Sequence, residues 1–253
     1  MSPRPFDGQV AMVTGAGSGI GRACAVLLAQ RGAAVIVNDV SVEGAAATVE
    51  AIRAEGGAAH AAVADVSDRA AVETAVLAAL AGLGGGDVIG VLVNNAGIAS
   101  RRLPIEEVDD AILDRMLGVH VKGAFHCTQI VLEGMKRQGA GKIVNISSAM
   151  GTVGGRSGSH YAAAKGALLS MTRTWARELA KWNIHVNVVA PGGVFTAATA
   201  TIRNYAEEAK TRVPIGRFGE PEEIASLVAF LASQEANYIT GQTVSANGGE
   251  FIH

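Results

Sequence analysis

Charge is scarce in this chain and nearly cancels. Lys and Arg number 21 against 23 Asp and Glu, 17% of all residues together, for a formal net charge of −2. With no basic run either, there is no electrostatic case for a nucleic acid or an anionic membrane as partner. Cysteine is almost missing as well. Cys24 and Cys127 are the only two, and both lie in apolar, helix-like stretches. They can in principle pair, but they read as buried free thiols in a reducing compartment. No apolar run approaches the roughly 18 residues expected of a membrane span. The first eight residues are polar and contain proline, without the basic and apolar regions of a secretion signal. The expectation is therefore a cytoplasmic protein with no membrane partner. Internal repeats, low-complexity tracts and linkers are lacking too, so residues 1–253 are read as one domain.

What the chain does have is apolar content, 49% of its residues, arranged in a rhythm. Short runs rich in Val, Ile and Ala occupy residues 9–14, 33–38, 58–64, 89–94, 142–147, 184–190 and 242–246. Parallel strands buried on both faces read this way, because helices cover the sheet on each side. Between them, helices are predicted over 19–31, 42–55, 69–81, 109–137, 159–182 and 221–232, the last opened by Pro221. This alternation implies an α/β fold with a doubly wound, Rossmann-type parallel sheet. Between 195 and 217 the rhythm lapses into a polar, charged segment, a candidate substrate lid at the carboxyl edge of the sheet.

The first strand runs straight into Thr14-Gly15-Ala16-Gly17-Ser18-Gly19-Ile20-Gly21 and then a helix. Glycines let a backbone approach a pyrophosphate closely, and a helix N-terminus offers unpaired amides and the positive end of a dipole. A tight strand-to-helix corner would use glycines too, but the flanking elements favour a dinucleotide. Asp39 follows at the end of the second strand. A carboxylate about 20 residues beyond such a turn can accept hydrogen bonds from the adenosine ribose. It would repel the 2′-phosphate of NADP, and neither Ser18 nor Val40 offers a neutralising charge. Arg22 is expected to point away. Asp39 taken alone would be an ordinary loop aspartate; beside this turn it favours NAD.

These residues resemble the short-chain dehydrogenase/reductase family. Its T-G-x-x-x-G-x-G turn is matched by Thr14, Gly15, Gly19 and Gly21, and its N-N-A-G element by Asn94-Asn95-Ala96-Gly97. Ser148, Tyr161 and Lys165 match its catalytic Ser and Y-x-x-x-K pair, and Pro191-Gly192 with Thr196 match its P-G element. The resemblance spans about 9 to 249 and implies strand order 3-2-1-4-5-6-7 with the cofactor across the carboxyl edge. It assigns Asp65 and Val66 to an adenine pocket and Asn94, Ala96 and Gly97 to the adenosine side. Pro191, Gly192, Val194 and Thr196 would hold the nicotinamide carboxamide. It further implies a homo-oligomer, commonly a tetramer, with the helices at 109–137 and 159–182 as the candidate interface. Packing on their own sheet would explain most of the same apolar content.

Oxidising a secondary alcohol requires a base for the hydroxyl proton, and a free tyrosine, with pKa near 10, is a poor one at neutral pH. Tyr161 and Lys165 are four residues apart and share a helix face. An ammonium beside the ring, with the positive charge of oxidised nicotinamide, stabilises the phenolate. Lowering the pKa by about 3 units takes roughly 4 kcal/mol. Ser148 would hold the substrate oxygen, and the resemblance gives Lys165 a second role on the nicotinamide ribose. One position departs from the family. Where an Asn commonly supports a water relay to the lysine, this chain has His120. Either the site needs only a local backbone kink and carbonyl, which His can supply, or the imidazole adds a titrating step. His160 is expected on another face and outside the chemistry.

The expected function is NAD-dependent hydride transfer to or from a small hydroxyl or keto substrate, with reduction of a 3-oxoacyl thioester as the alternative. Arg156 in the 149–160 loop and Arg203, Lys210 and Arg212 in the candidate lid either grip an anionic substrate or are solvated charges. A dinucleotide sensor without turnover is the rival from another class; such a protein is expected to lose the Tyr or the Lys, and both are present.

Overall fold

The computed structural model describes residues 4–84, 88–99, 102–196, 199 and 205–252. Among these, seven strands form one sheet: β1 (Val10–Thr14), β2 (Ala34–Asp39), β3 (Ala59–Val63), β4 (Ile89–Asn94), β5 (Gly141–Ile146), β6 (Ile184–Pro191) and β7 (Thr243–Ala246). The order is 3-2-1-4-5-6-7, as the family resemblance implies, and every pairing is parallel. The chain winds outward one way from β1 and then crosses back to β4. Their carboxyl ends diverge at this switch point, and the crevice between them is where open α/β sheets bind ligands.

Both faces of the sheet are covered. Helices α1 (Gly19–Gln30) and α2 (Val42–Ala54) bury Cys24, Leu28, Val49 and Ile52 on one face, together with Val228 and Leu231 from the Pro221–Ala232 helix. On the other face α3 (Arg69–Gly82) packs Val72 and Val76 beside Cys127, Val131, Leu168 and Trp175 of later helices. Strand residues alternate between the two cores, Ala11 and Val13 facing one, Val10 and Met12 the other. Between Val10 and Ala11 the partner in β4 jumps from Ile89 to Val91, so Gly90 is the extra residue of a bulge. That insertion puts Ile89 and Leu92 on the same face, which strict alternation would separate. Cys24 and Cys127 are buried free thiols in different cores, and burial pushes both up to about 12.

The helix predicted over 109–137 is not continuous. It divides into α4 (Asp110–Leu117), a π turn at Gly118–Lys122, and α5 (Gly123–Gln138). A short helix not anticipated from sequence, α6 (Ala149–Val153), follows β5. The helix predicted over 159–182 is α7 (Ser159–Leu179), finished by a 3-10 turn at Ala180–Trp182. In the polar 195–217 segment, part of which lies outside the described residues, there is a helix α8 (Tyr205–Arg212). The last helix, α9 (Pro221–Ala232), opens with the Glu220–Glu223 capping box. No helix among the described residues is long and apolar enough to cross a membrane.

Gly21 is the tightest point near the crevice. A Cβ there would lie 2.1 Å from the Gly15 carbonyl oxygen and 2.4 Å from Asn95 Nδ2. Gly21→Ala is expected to lower unfolding stability by about 1–3 kcal/mol, the usual cost of overpacking. Urea denaturation checks this; an unchanged midpoint would mean that the turn yields without cost.

Candidate active site

The first wall of the crevice is the glycine turn. Thr14 ends β1, and its Oγ1 accepts the amides of Asn95 (3.0 Å) and Ala96 (2.9 Å) while donating to the Val93 carbonyl (3.3 Å). Asn95 returns the contact, its Nδ2 donating to the carbonyls of Thr14 (2.9 Å) and Gly15 (3.1 Å). Gly15 has φ +62° and Gly19 φ +53°, and a Cβ on Gly15 would lie 2.9 Å from Ala96 Cα. Only glycine lets the two segments approach so closely. Ser18 begins α1 without a side-chain cap, whereas Ser41 and Asp68 cap α2 and α3 by accepting amides three residues on. The first-turn amides of α1 are left for another acceptor, so the turn fits a pyrophosphate.

The cleft beyond it has a volume of about 340 Å³ and is lined by Gly15, Ser18, Gly19, Ile20, Asp39, Asp65, Val66, Ala96, Gly97 and Thr196 among the expected residues. Thr196 lies opposite Gly19, its Cγ2 3.5 Å from where a Cβ would stand. Asp39 sits at the far end, but it is not idle: Oδ2 accepts the Gly17 amide (2.8 Å) and Oδ1 the Ser41 amide (2.9 Å). Arg22 is exposed and does not line the cleft.

Several residues line the cleft without having been given a role there, Asn95, Ile98 and Arg115 among them. Asn95 braces the turn as described, and Ile98 continues the wall after Gly97. Arg115, from α4, pairs with Asp65 Oδ2 at 2.8 Å and donates to Ser67 Oγ at 3.2 Å. Asp65 also accepts the Ser67 amide and hydroxyl. These bonds outweigh its partial burial, which acts in the opposite direction, and hold the carboxyl below its ordinary range.

Asn94 is the clearest correction. Expected beside the adenosine, it is buried in the protein interior and does not line the cleft. Its Nδ2 donates to Asn145 Oδ1 (2.9 Å) and Thr128 Oγ1 (3.2 Å), and Asn145 passes the chain on to Thr172 Oγ1 (2.8 Å). Neighbouring residues at a strand end point opposite ways, so Asn95 takes the cleft side and Asn94 the core side. Pro191, Gly192 and Val194 also lie off this cleft, at and beyond the end of β6. The Gly192 amide donates to Ala246, and Val194 bridges to Gly219.

The polar triad gathers where β5 ends. Ser148 is the N-cap of α6, its Oγ accepting the Met150 amide at 3.2 Å. Next to it, Ser147 Oγ donates to the Lys165 carbonyl at 2.7 Å and docks α7 on the strand. Lys165 is 4% exposed, and its Nζ donates to the Ile146 carbonyl at 2.8 Å. The same Nζ lies 5.8 Å from the centre of the Tyr161 ring. Gly151 keeps α6 against α7, since a Cβ there would fall 2.7 Å from the Lys165 carbonyl carbon. His120, 2% exposed in the π turn, meets the Tyr161 ring edge-to-face at 5.7 Å. Burial, then the Lys165 charge, push its imidazole well below the ordinary range, and the nearby Ile98 carbonyl acts the other way without reversing this. The direction of this shift is away from a titrating step near neutral pH. His160 is buried elsewhere on α7, as expected outside this group.

Of the candidate lid cations, Lys210 pairs with Glu207 and Arg212 with Glu250, while Arg203 lies outside the described residues; Arg156, in the loop before α7, is exposed. Lys210 and Arg212 are thus engaged within the protein itself.

The comparisons agree with this geometry. A family model described as Enoyl-(Acyl carrier protein) reductase matches residues 15–250. A 3-oxoacyl-(acyl-carrier-protein) reductase of Thermotoga maritima is 42% identical over 248 residues, 98% of this chain and 99% of that one. The chain belongs to the short-chain dehydrogenase/reductase family. Another relative, a cis-4-hydroxycyclohexanecarboxylate dehydrogenase of Sinomonas cyclohexanicum, is 41% identical over 96% of this chain and 97% of its own. Among solved structures, a 3-oxoacyl-(acyl-carrier protein) reductase of Brucella melitensis with bound NAD superposes with a TM-score of 0.88 at 32% identity. That match covers 99% of this chain and 94% of the other. As a member of this family the chain is an oxidoreductase of nicotinamide cofactors.

Burial drives Lys165 from 10.5 down to about 7. Between those values the unfolded chain holds a proton that the folded chain does not. Stability contributed by this group is present above 10.5 and is lost as pH falls to 7, by roughly 4–5 kcal/mol across the window. Lys165→Met is expected to remove turnover, keep Tm at pH 7 equal or higher, and flatten the rise in unfolding free energy from pH 7 to 9. Denaturation at several pH values checks it; a lower Tm at pH 7 would mean that the lysine stabilises the fold.

Proposed function

We propose that this chain interconverts a 3-oxoacyl thioester and its 3-hydroxy form with NADH and NAD, the 3-oxoacyl substrate now standing ahead of the general secondary alcohol. The observation that carries the reading is Lys165 Nζ held at the end of β5 and beside the Tyr161 ring, with Ser148 at the start of α6, together with a cleft that carries the Asp39 carboxylate. When bound, the nicotinamide supplies or accepts the hydride. Gly15, Ser18, Gly19, Ile20 and Gly21 would hold the pyrophosphate, and Asp65, Val66, Ala96 and Gly97 the adenosine end. Thr196, with Pro191, Gly192 and Val194, would serve the carboxamide end.

The protein's own part is proton movement and orientation. Tyr161 gives its hydroxyl proton to the substrate oxygen in reduction and takes it back in oxidation. Lys165, in its protonated form, stabilises the phenolate left behind, and its low dielectric surroundings strengthen that effect. Ser148 Oγ holds the substrate oxygen by a hydrogen bond, so that the carbonyl carbon and the phenol are positioned together.

The Sinomonas relative supports a second substrate class, a cyclic hydroxy acid. Assembly as a homo-oligomer through α5 and α7 belongs to the same proposal; Phe125 of α5 stays 40% exposed while meeting Trp175 of α7 edge-to-face.

Acetoacetyl thioester and 4-oxocyclohexanecarboxylate, each assayed with NADH and with NADPH, test the reading. The expected outcome is turnover of the thioester with NADH ahead of NADPH. Tyr161→Phe should lower kcat by roughly 10²–10⁴-fold with little change in NAD affinity. Asp39→Asn should narrow the cofactor preference by about tenfold, roughly 1.4 kcal/mol. A preference for NADPH in the parent would overturn the role given to Asp39, and substantial activity in Tyr161→Phe would remove that residue from proton transfer.

A further inference from the structure

His120 stands in the π turn with nearly all of its ring buried, and two of its surroundings are unusual. First, its Nε2 lies 3.0 Å from the Ile98 amide nitrogen and 3.1 Å from the Ile98 carbonyl oxygen. One ring nitrogen cannot accept from the amide and donate to the carbonyl at once. The amide can only donate, and a buried N–H left unpaired is rarer than an under-satisfied carbonyl, so acceptance by a bare Nε2 is the better arrangement. The proton of the neutral ring then sits on Nδ1.

Second, that Nδ1 is buried with no protein partner among the described residues, and so is Asn94 Oδ1. Both residues line one small cavity, together with Thr14, Val66, Val119 and Gly123. The cavity leaves about 10 Å³ for a water-sized sphere, close to the minimum for one water molecule. A donor on one side and an acceptor on the other are what a single water joins.

We propose that His120 is a neutral positioning residue in its Nδ1–H form, accepting the Ile98 amide at Nε2 and joined through one buried water to Asn94 Oδ1. It braces the Ala96–Gly97–Ile98 wall of the cleft from behind and does not relay protons. Gly97 belongs to the device, because a Cβ there would lie 2.4 Å from His120 Cε1. The ring rests directly on the glycine backbone, and its other neighbours are the Tyr161 ring and the charge of Lys165, both on α7. A positive charge nearby and burial both keep the imidazole neutral. The proposal depends on the functional reading only in taking 96–98 as a cofactor wall.

Nitrogen NMR of the full-length protein labelled at its six histidines tests the ring directly, with His120→Asn identifying the signals. Nδ1 is expected to be protonated and Nε2 bare, unchanged from pH 5.5 to 8.5, with a water cross-peak at the Nδ1 proton. An Nε2–H form, a titration within that range, or no water cross-peak would overturn it. Cofactor titration of His120→Ala adds a second readout that needs no substrate. Weakening of NAD binding by roughly tenfold, with an unshifted kcat–pH profile, is expected of a brace. Unchanged NAD affinity with one ionisation lost from that profile would make His120 a relay instead. If the parent binds NAD but turns over neither test substrate, the substrate assignment fails while these readouts still decide the role of His120.

Discussion

The hydroxyl of Thr14 holds this site together. At the switch point β1 and β4 must part to leave room for a ligand, yet their ends have to stay in fixed register. Thr14 Oγ1 solves this by taking two successive amides of the β4 exit, Asn95 and Ala96, and Asn95 replies to the carbonyls of Thr14 and Gly15. Four bonds thus close a ring between the glycine turn and the Asn95–Ala96 wall of the cleft. Gly21 has no side chain because this ring occupies the space. Removing the hydroxyl would leave two part-buried amides without an acceptor, a cost of about 1–3 kcal/mol for each that stays unpaired. The turn's glycines matter because of this tie as much as because of any phosphate.

A second constraint runs under the first. Asn94, Asn145, Thr128 and Thr172 form a buried polar chain between the sheet and the helices α5 and α7. Polar groups in a core are tolerated when they are paired, and a satisfied network fixes one arrangement over others of similar packing. Here it fixes the height of α7 along β5, reinforced by Ser147 on the Lys165 carbonyl. Lys165 gains no stability from its position, since burial disfavours its charge. The network and the apolar packing of Leu168 and Trp175 hold α7 in place despite that cost.

Much of this was legible in the residues. Strands buried on both faces announce themselves as Val and Ile runs, so sheet order followed once the family pattern was recognised. Ser148, Tyr161 and Lys165 were picked out by the resemblance, since a Tyr and a Lys four residues apart are otherwise an ordinary helix surface. Other features were hidden for physical reasons. The π turn adds one residue to a helix of ordinary composition, which leaves almost no trace in a 3.6-residue period. Arg115 reaches Asp65 across 50 residues, and only the packed α4 brings them together. Asn94 and Asn95 are chemically identical neighbours, and which one faces the cleft depends on the parity of β4, itself shifted by the bulge at Gly90. Helix α6 is five residues long and holds a glycine, too short for a periodic signal.

On the proposed NAD reading, the carboxylate of Asp39 serves fold and selectivity together. Both oxygens already accept backbone amides, from Gly17 in the phosphate turn and Ser41 at the start of α2. A carboxylate has about four acceptor directions, so those left over still face the cleft. Its orientation does not wait for a ligand. The negative charge is in place beforehand, at the end of the cleft where the adenosine ribose would lie, and reorienting it to admit a phosphate would cost two charge-assisted bonds that hold the turn. On that reading, discrimination against a 2′-phosphate would rest on repulsion from a fixed charge, and a hydrogen bond to a ribose hydroxyl would be a smaller addition. A neutral side chain of the same shape would preserve part of the bracing but none of the repulsion, so structure and selectivity at this position are separable by charge alone.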